Sequence, residues 1–240
     1  MNKKTIIIIG ATSGIGKALF ENYAKDGNRL GIVGRRTNLL NELRCQHSSN
    51  TYTATADITK RDEIEQAISS LHKELESIDL AIVCSGTGDI NATLDYSVER
   101  PTIDTNVTSW TFVIDTLYHI FVQQGHGHLV AITSAGGLRG EPMAPAYSAT
   151  KAYQINYMEA LRKKAYKAGG NIIVTDVRPG LVDTAMAKGD GLFWVMPVEK
   201  VARQICAAIR LKKSKVYVTK RWHILAVINK NLPFTMYKRM

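Results

Sequence analysis

A doubly wound α/β domain is the fold this sequence predicts, and three observations carry the prediction. Strand-length runs rich in Ile, Val, Leu and Ala recur seven times, at residues 5–10, 29–34, 51–56, 79–84, 128–133, 171–177 and 215–219. The runs do not alternate with polar residues, so each strand is expected to be covered on both faces, as in a mostly parallel sheet. Longer segments with helical periodicity separate them, supplying crossovers and placing helices on both faces.

In chain order, the first run follows Met1-Asn2-Lys3-Lys4 in the manner of a leader peptide, but it stops at Gly10 and reads as a buried strand. Gly10-Ala11-Thr12-Ser13-Gly14-Ile15-Gly16 comes next and opens a helical segment, Lys17 to Lys25. The second strand runs into Gly34-Arg35-Arg36, the third into Ala56-Asp57-Ile58, and the fourth into Val83-Cys84-Ser85-Gly86. The fifth ends at Ser134, and a helix from Tyr147 passes through Ala149, Ala152, Ile155 and Met158. Its basic last turn, Arg162 to Lys167, and Gly169-Gly170 are the expected stop. The irregular stretches 135–146 and 184–197 are too short to separate domains and are expected to be loops around a site. One domain over residues 1–220, with 221–240 as its basic, apolar extension, accounts for the chain.

Composition bounds the function. With 240 residues, 45% hydrophobic and 22% charged, roughly 70% of the unfolded surface can be buried, which excludes a disordered chain. Cys45, Cys84 and Cys206 are odd in number and scattered, with no metal-ligand spacing, so no metal site is expected and a reducing, cytoplasmic setting fits. His119, His126 and His128 stand among glycines and read as loop composition. No run approaches the ~20 apolar residues of a membrane span, which predicts a soluble protein. Residues 200–240 hold eleven of the 31 Lys and Arg and no acid, leaving 20 basic against 21 acidic residues elsewhere. The high pI therefore describes a local patch.

The glycine loop between strand and helix suits a dinucleotide. Glycine permits the tight turn and the close approach of backbone to pyrophosphate, while the first N–H groups of the helix meet its charge. The residues after the second strand choose the coenzyme, because an acid there accepts the ribose hydroxyl of NAD. Here there is none. Arg35, nineteen positions after Gly16, and Arg36 offer guanidinium forks suited to a phosphate, so NADP(H) is preferred over NAD(H); the alternative is a solvated pair capping a strand.

Tyr147 and Lys151, four apart on one helix, project from the same face. A phenol of pKa ~10 is protonated at neutral pH, and a cation within ~4–6 Å is expected to lower it toward working range for proton exchange with a carbonyl or alcohol oxygen. Ser134, at the carboxyl edge of the sheet where such folds place ligands, can hold that oxygen.

Together these residues resemble the short-chain dehydrogenase/reductases, a Rossmann-type family, over essentially residues 5–220. The resemblance implies that Gly10, Thr12, Ser13, Gly14, Ile15 and Gly16 bind the coenzyme phosphates. It puts Asp57 and Ile58 at the adenine, and Gly86 beside the coenzyme. It makes Asn106, Ser134, Tyr147 and Lys151 the catalytic set, Ser and Tyr at the family's thirteen-residue separation. Pro179, Gly180, Val182 and Thr184 would hold the nicotinamide carboxamide. Asn106 would fix a relay water, and Tyr147 and Lys151 would also touch the coenzyme, Lys151 at the nicotinamide ribose. Two departures stand out: Ile9 replaces the Thr usual before the first glycine, and Val83-Cys84-Ser85-Gly86 replaces Asn-Asn-Ala-Gly. They bear on packing more than chemistry. Cys84, with no histidine beside it in sequence, reads as a structural thiol.

The expected activity is hydride transfer between NADP(H) and a carbonyl or secondary alcohol. The alternative is an NADPH-sensing scaffold without turnover that recruits a partner or membrane through its tail. Phe193, Trp194 and Met196 point to an apolar substrate, and the family implies a homodimer or homotetramer joined through helices near 105–124 and 147–168. In the tail, apolar residues between Arg221 and Lys230 leave two roles open. One is an interfacial helix on an anionic lipid surface; the other is docking on its own core or a partner subunit. Sparse aromatics and a neutral body speak against specific nucleic-acid binding.

Overall fold

The computed structural model describes residues 3–187 and 194–239. Its strands are β1 (Thr5–Ile9), β2 (Arg29–Gly34), β3 (Thr51–Thr55), β4 (Leu80–Val83), β5 (Gly127–Ile132), β6 (Ile172–Pro179) and β7 (Lys215–Val218). Among the described residues they form one sheet in the order β3-β2-β1-β4-β5-β6-β7, with every pairing parallel rather than mostly so. The helices are α1 (Gly14–Lys25), α2 (Thr37–Gln46), α3 (Arg61–Leu75), α4 (Tyr96–Ile103), α5 (Trp110–Gln124), α6 (Pro145–Lys167), α7 (Val198–Arg210), α8 (Lys220–Asn231) and α9 (Phe234–Tyr237).

The unbroken apolar runs divide between two cores because side chains of a strand alternate in direction. In β1, Ile7 and Ile9 pack with α3, α5 and α6, against Ile64, Trp110, Leu117 and Met158. Ile6 and Ile8 point the other way, to Leu19 and Phe20 of α1 and Val201 and Ile205 of α7. Each helix shows the matching stripe: α7 buries Val201, Ala202, Ile205, Ala208 and Ile209, and α3 buries Ile64, Ala67, Ile68, Leu71 and Leu75. The strand order reverses between β1 and β4, whose paired residues end together at Ile9 and Val83. Outside the carboxyl ends of these strands lies the crevice where open α/β sheets bind ligands.

Helix α8 packs on β7 and on the turn Ala135–Leu138, with Ala226 buried.

Candidate active site

At the end of β1, Gly10 turns the chain at φ +88° and Gly14 enters α1 at φ +52°, both in the left-handed region that favours glycine. A Cβ on Gly16 would stand 2.0 Å from the Gly10 carbonyl oxygen, so only glycine lets the turn close. Ser13 precedes α1 in extended conformation without capping it, and the first turn carries no acid. The leading N–H groups of α1 are thus placed for an anion. Thr184 comes to this loop from the far side: its Cγ2 lies 3.2 Å from the position of a Gly14 Cβ, and its hydroxyl donates to the Val182 carbonyl at 3.3 Å. Val182 and Ile58 are buried and Ile15 packs at the edge of the α1/α7 core.

The two arginines after β2 part company. Arg36 Nη2 donates to Thr12 Oγ1 at 2.7 Å and Ser13 Oγ at 2.8 Å, and its Nε reaches Thr12 Oγ1 at 3.2 Å. Arg35, the fork favoured by sequence spacing, instead pairs with Asp57 at 3.6 Å and borders a groove of about 660 Å³ with Thr59, Tyr96 and Arg100. Successive residues leaving a strand point to opposite sides, which is why one of them reaches the glycine loop and its neighbour does not. Asp57 accepts from both the N–H and hydroxyl of Thr59, and these bonds with Arg35 hold its carboxyl below the usual range against the cost of burial. Asp57 does not cap α3; Lys60 occupies that position.

Past β5, Ser134 caps the turn Ala135–Leu138, its Oγ accepting from Gly136 N at 3.0 Å. Its hydroxyl also shares a hydrogen bond with Tyr147. Lys151, one turn further along α6, is buried; its Nζ donates to Gln154 Oε1 at 2.9 Å and the Ile132 carbonyl at 3.3 Å, and lies 5.8 Å from the Tyr147 ring centroid. Burial draws this ammonium down to about 8, opposed by the carboxylate of Asp176 and by Cys84. The expected acidification of Tyr147 is not found: burial raises its phenol above the ordinary value, and the Ser134 bond only partly offsets this. Lys151 has its ammonium committed to two carbonyl oxygens, so desolvation of the phenolate prevails. Cys84 is half-buried, and desolvation pushes its thiol up to about 12, as in an inert thiol.

Asn106 sits in a π-helical turn, Asp104–Ser109, between α4 and α5. Its carboxamide accepts from Thr87 N at 2.9 Å and donates to Thr87 O at 2.7 Å and Thr150 Oγ1 at 3.1 Å. Its own carbonyl accepts from Gln154 Nε2 at 2.9 Å. Gln154 therefore joins Asn106 to Lys151, a link the sequence reading missed although it lies three residues beyond Lys151 on the same helix face. Gly86 lies in this cluster: a Cβ there would come to 3.3 Å of both Asn106 Oδ1 and Lys151 Nζ. Two further glycines pack against the site though the sequence assigned them no role: Gly34, the last residue of β2, and Gly88, in the loop after β4. A Cβ on Gly34 would strike Thr12 Cγ2 at 2.8 Å, and one on Gly88 would strike the Tyr147 ring at 2.3 Å. Pro179 ends β6, and Gly180 lies under the Trp222 indole of the extension. Met196 pairs with Val182 in an isolated bridge, whereas Phe193 lies outside the described residues. No group of three or more His, Cys, Asp and Glu suited to a metal occurs among the described residues.

The sequence profile of the short chain dehydrogenase family matches residues 4–191. The chain belongs to the short-chain dehydrogenase family. It is similar to an uncharacterised oxidoreductase of Mycobacterium tuberculosis, 30% identical over 228 residues that cover 91% of this chain and 89% of that one. Its fold matches a short-chain dehydrogenase of Burkholderia cenocepacia solved in complex with NADP, with a TM-score of 0.86 at 19% identity, covering 99% and 97% of the two chains. A serine dehydrogenase in its closed form with NADP+ matches with a TM-score of 0.80 at 25% identity, covering 89% and 94%. This short-chain dehydrogenase is thus an oxidoreductase of a nicotinamide-dependent family, and its glycine loop, Arg36, Asn106, Ser134, Tyr147 and Lys151 gather at one edge of its sheet.

Proposed function

We propose that the protein is an NADP(H)-dependent oxidoreductase that interconverts a carbonyl and a secondary alcohol. The observation that supports this is the Ser134 hydroxyl at the Tyr147 phenol, with the buried Lys151 ammonium 5.8 Å from the ring centroid, at the strand ends that bear the glycine loop. The residues fit the coenzyme. Gly10 to Gly16 and the start of α1 would hold its phosphates, Arg36 the 2′-phosphate, and Asp57 and Ile58 the adenine. Gly86, Asn106, Tyr147 and Lys151 would face its nicotinamide half, with Pro179, Gly180, Val182 and Thr184 at the carboxamide. When bound, NADPH supplies the hydride.

Tyr147 then has the proton to give. Its raised pKa keeps the phenol protonated, as an acid for carbonyl reduction must be, while Ser134 donates a hydrogen bond to the same substrate oxygen. Lys151 stabilises the phenolate left behind, and Gln154 and Asn106 fix that ammonium in place. Exposed Met143, Met186 and Trp194 on the flanking loops suit an apolar substrate. Three free cysteines suit a reducing, cytoplasmic compartment. A homodimer or homotetramer through α5 and α6 accords with the family, and light scattering measures it.

The test is Tyr147→Phe, assayed by NADPH oxidation against a panel of ketones and aldehydes. Turnover is expected to fall by about 10²–10⁴-fold with NADPH affinity nearly intact. Unchanged turnover overturns the assignment. NADPH binding by the unaltered protein with no turnover on any substrate favours the sensing scaffold.

A further inference from the structure

Helix α8 offers apolar side chains in two directions, and only one set has a partner. On the inner side the Trp222 indole covers Gly180, where a Cβ would fall 2.0 Å from the ring, and its Nε1 donates to the Trp194 carbonyl at 3.4 Å. Further along, Arg139 Nη2 donates to the Leu232 carbonyl at 2.8 Å and stacks 4.6 Å from the Tyr237 ring centroid, and the Tyr237 hydroxyl donates to the Gly140 carbonyl. Docking of the extension on its own core is thereby complete. Yet Ile224, Val227 and Ile228, spaced as one helix face, are 64%, 47% and 52% exposed, and Phe234 and Met236 beyond them are 71% and 57% exposed. Scattered exposed apolar residues are ordinary, but five within thirteen residues form a patch of the kind that marks an interaction surface.

The charges around the patch choose its occupant. Arg221, Lys230, Lys238 and Arg239 are exposed beside it, and residues 200–240 contain no acid. A second copy meeting this face about a two-fold axis would set these cations against their own images. Nucleic acid would engage the cations and leave the aliphatic side chains in water. An anionic lipid surface satisfies both, with apolar groups below the headgroups and cations among the phosphates. We propose that the outer face of α8 and α9 docks this protein on an anionic bilayer, with α8 lying in the plane of the interface. At twelve residues, ~18 Å, α8 is well short of a span, and among the described residues no helix is long and apolar enough to cross a membrane.

The experiment is co-sedimentation of the full-length protein with vesicles of pure phosphatidylcholine or of phosphatidylcholine with about 30% phosphatidylglycerol, at ~0.15 M salt. Two variants accompany it: Ile224→Ser with Val227→Ser and Ile228→Ser, and Lys230→Gln with Lys238→Gln and Arg239→Gln. All six positions are exposed, and thermal melts and light scattering check fold and mass. The unaltered protein is expected to bind the anionic vesicles at least about tenfold more tightly than the neutral ones, and each variant to lose about tenfold or more on the anionic vesicles. Absence of binding to anionic vesicles overturns the proposal. So does full binding by the serine variant, which would mean adsorption by charge alone. A particle mass that halves only in the serine variant would assign the face to a second copy instead. None of these readouts depends on turnover.

Discussion

Replacing Arg36 by Leu separates the roles of the two arginines that follow β2. The Arg36 guanidinium is spent on the hydroxyls of Thr12 and Ser13, at 2.7–3.2 Å, and so stands over the loop that would receive the coenzyme phosphates. Exchanging those neutral acceptors for a phosphate strengthens hydrogen bonds to a charged group, each of which contributes about 1.5–3 kcal/mol. Arg36 is exposed, and the exchange gives up its existing bonds, so about 1–2 kcal/mol is the net gain expected, or about 5- to 30-fold in affinity. NADH lacks the phosphate and should bind Arg36→Leu as it binds the unaltered protein. Arg35→Leu, by contrast, breaks an exposed ion pair with Asp57, an interaction that contributes about 0–1 kcal/mol. It should change either affinity by less than about fivefold. Fluorescence titration of both variants with NADPH and NADH measures all four quantities. An equal loss for the two coenzymes in Arg36→Leu, or a larger NADPH-specific loss in Arg35→Leu, would refute the assignment of the phosphate to Arg36.

Three other outcomes follow from the same geometry. Gly88→Ala places a methyl 2.3 Å from the Tyr147 ring and should cost about 10²-fold in kcat by displacing the phenol, while coenzyme titration stays near normal. In the reduction direction kcat/KM should hold steady at neutral pH and fall above about 8 as Lys151 loses its proton; a profile flat to pH 10 or so would show that the ammonium is not required. His128 is buried, and its Nε2–H donates to Thr175 Oγ1 at 2.7 Å, since that hydroxyl is itself spent on the Lys213 carbonyl. Burial draws its pKa down to about 4 from an unfolded value near 6.5, so between these values the unfolded chain takes up the proton first. Stability should therefore decline as pH falls through that window, by roughly 3 kcal/mol in all, and His128→Gln should remove this share of the slope in denaturant melts.

What the sequence made legible was whatever depends on local pattern. The seven apolar runs match the strands to within two residues at each end; the inner strands β1, β4 and β5 are buried on both faces, whereas the edge strands β3 and β7 are half-exposed and carry polar residues. Gly10, Gly14 and Gly16 could be read because a strand on one side and a helix on the other leave few uses for such a turn. What stayed hidden depends on direction and on long-range company. Spacing along the chain gave no means of telling that Arg36 rather than Arg35 turns to Thr12. Likewise, Tyr147 and Lys151 share a helix face as expected, but the phenol is raised because Lys151 answers to Ile132 and Gln154, partners that only the packed fold supplies. The π-helical turn that carries Asn106 has no signature in the residue types Asp104 to Ser109. The extension was open between two roles, and the inner contacts of Trp222 and Tyr237 resolve one of them as docking on its own core.

The extension and the catalytic edge are joined by a continuous chain of contacts, and its chemistry shows why they can nonetheless act separately. Thr133, beside Ser134, donates to Asp176 Oδ1 at 2.6 Å; Asp176 Oδ2 takes Arg178 Nε at 2.7 Å and Nη2 at 2.6 Å. Arg178 reaches the Tyr217 hydroxyl at 2.8 Å, and the Tyr217 ring stacks on His223 of α8 with centroids 4.8 Å apart. Arg178 and Asp176 are buried and paired, with Thr133 and Tyr217 taking further bonds, the condition under which such a pair persists in low dielectric. A chain of this kind transmits a signal only if some member has two arrangements that both ends can bias. Its polar groups hold one another through several bonds at once, Asp176 between Thr133 and Arg178 and Arg178 between Asp176 and Tyr217, and the aliphatic face of α8 lies on the opposite side of the helix from Trp222. Substitutions at Ile224, Val227 and Ile228 thus leave the chain from His223 to Thr133 intact, so the proposed attachment to a surface and the proposed proton delivery at Tyr147 draw on different atoms of the same fold.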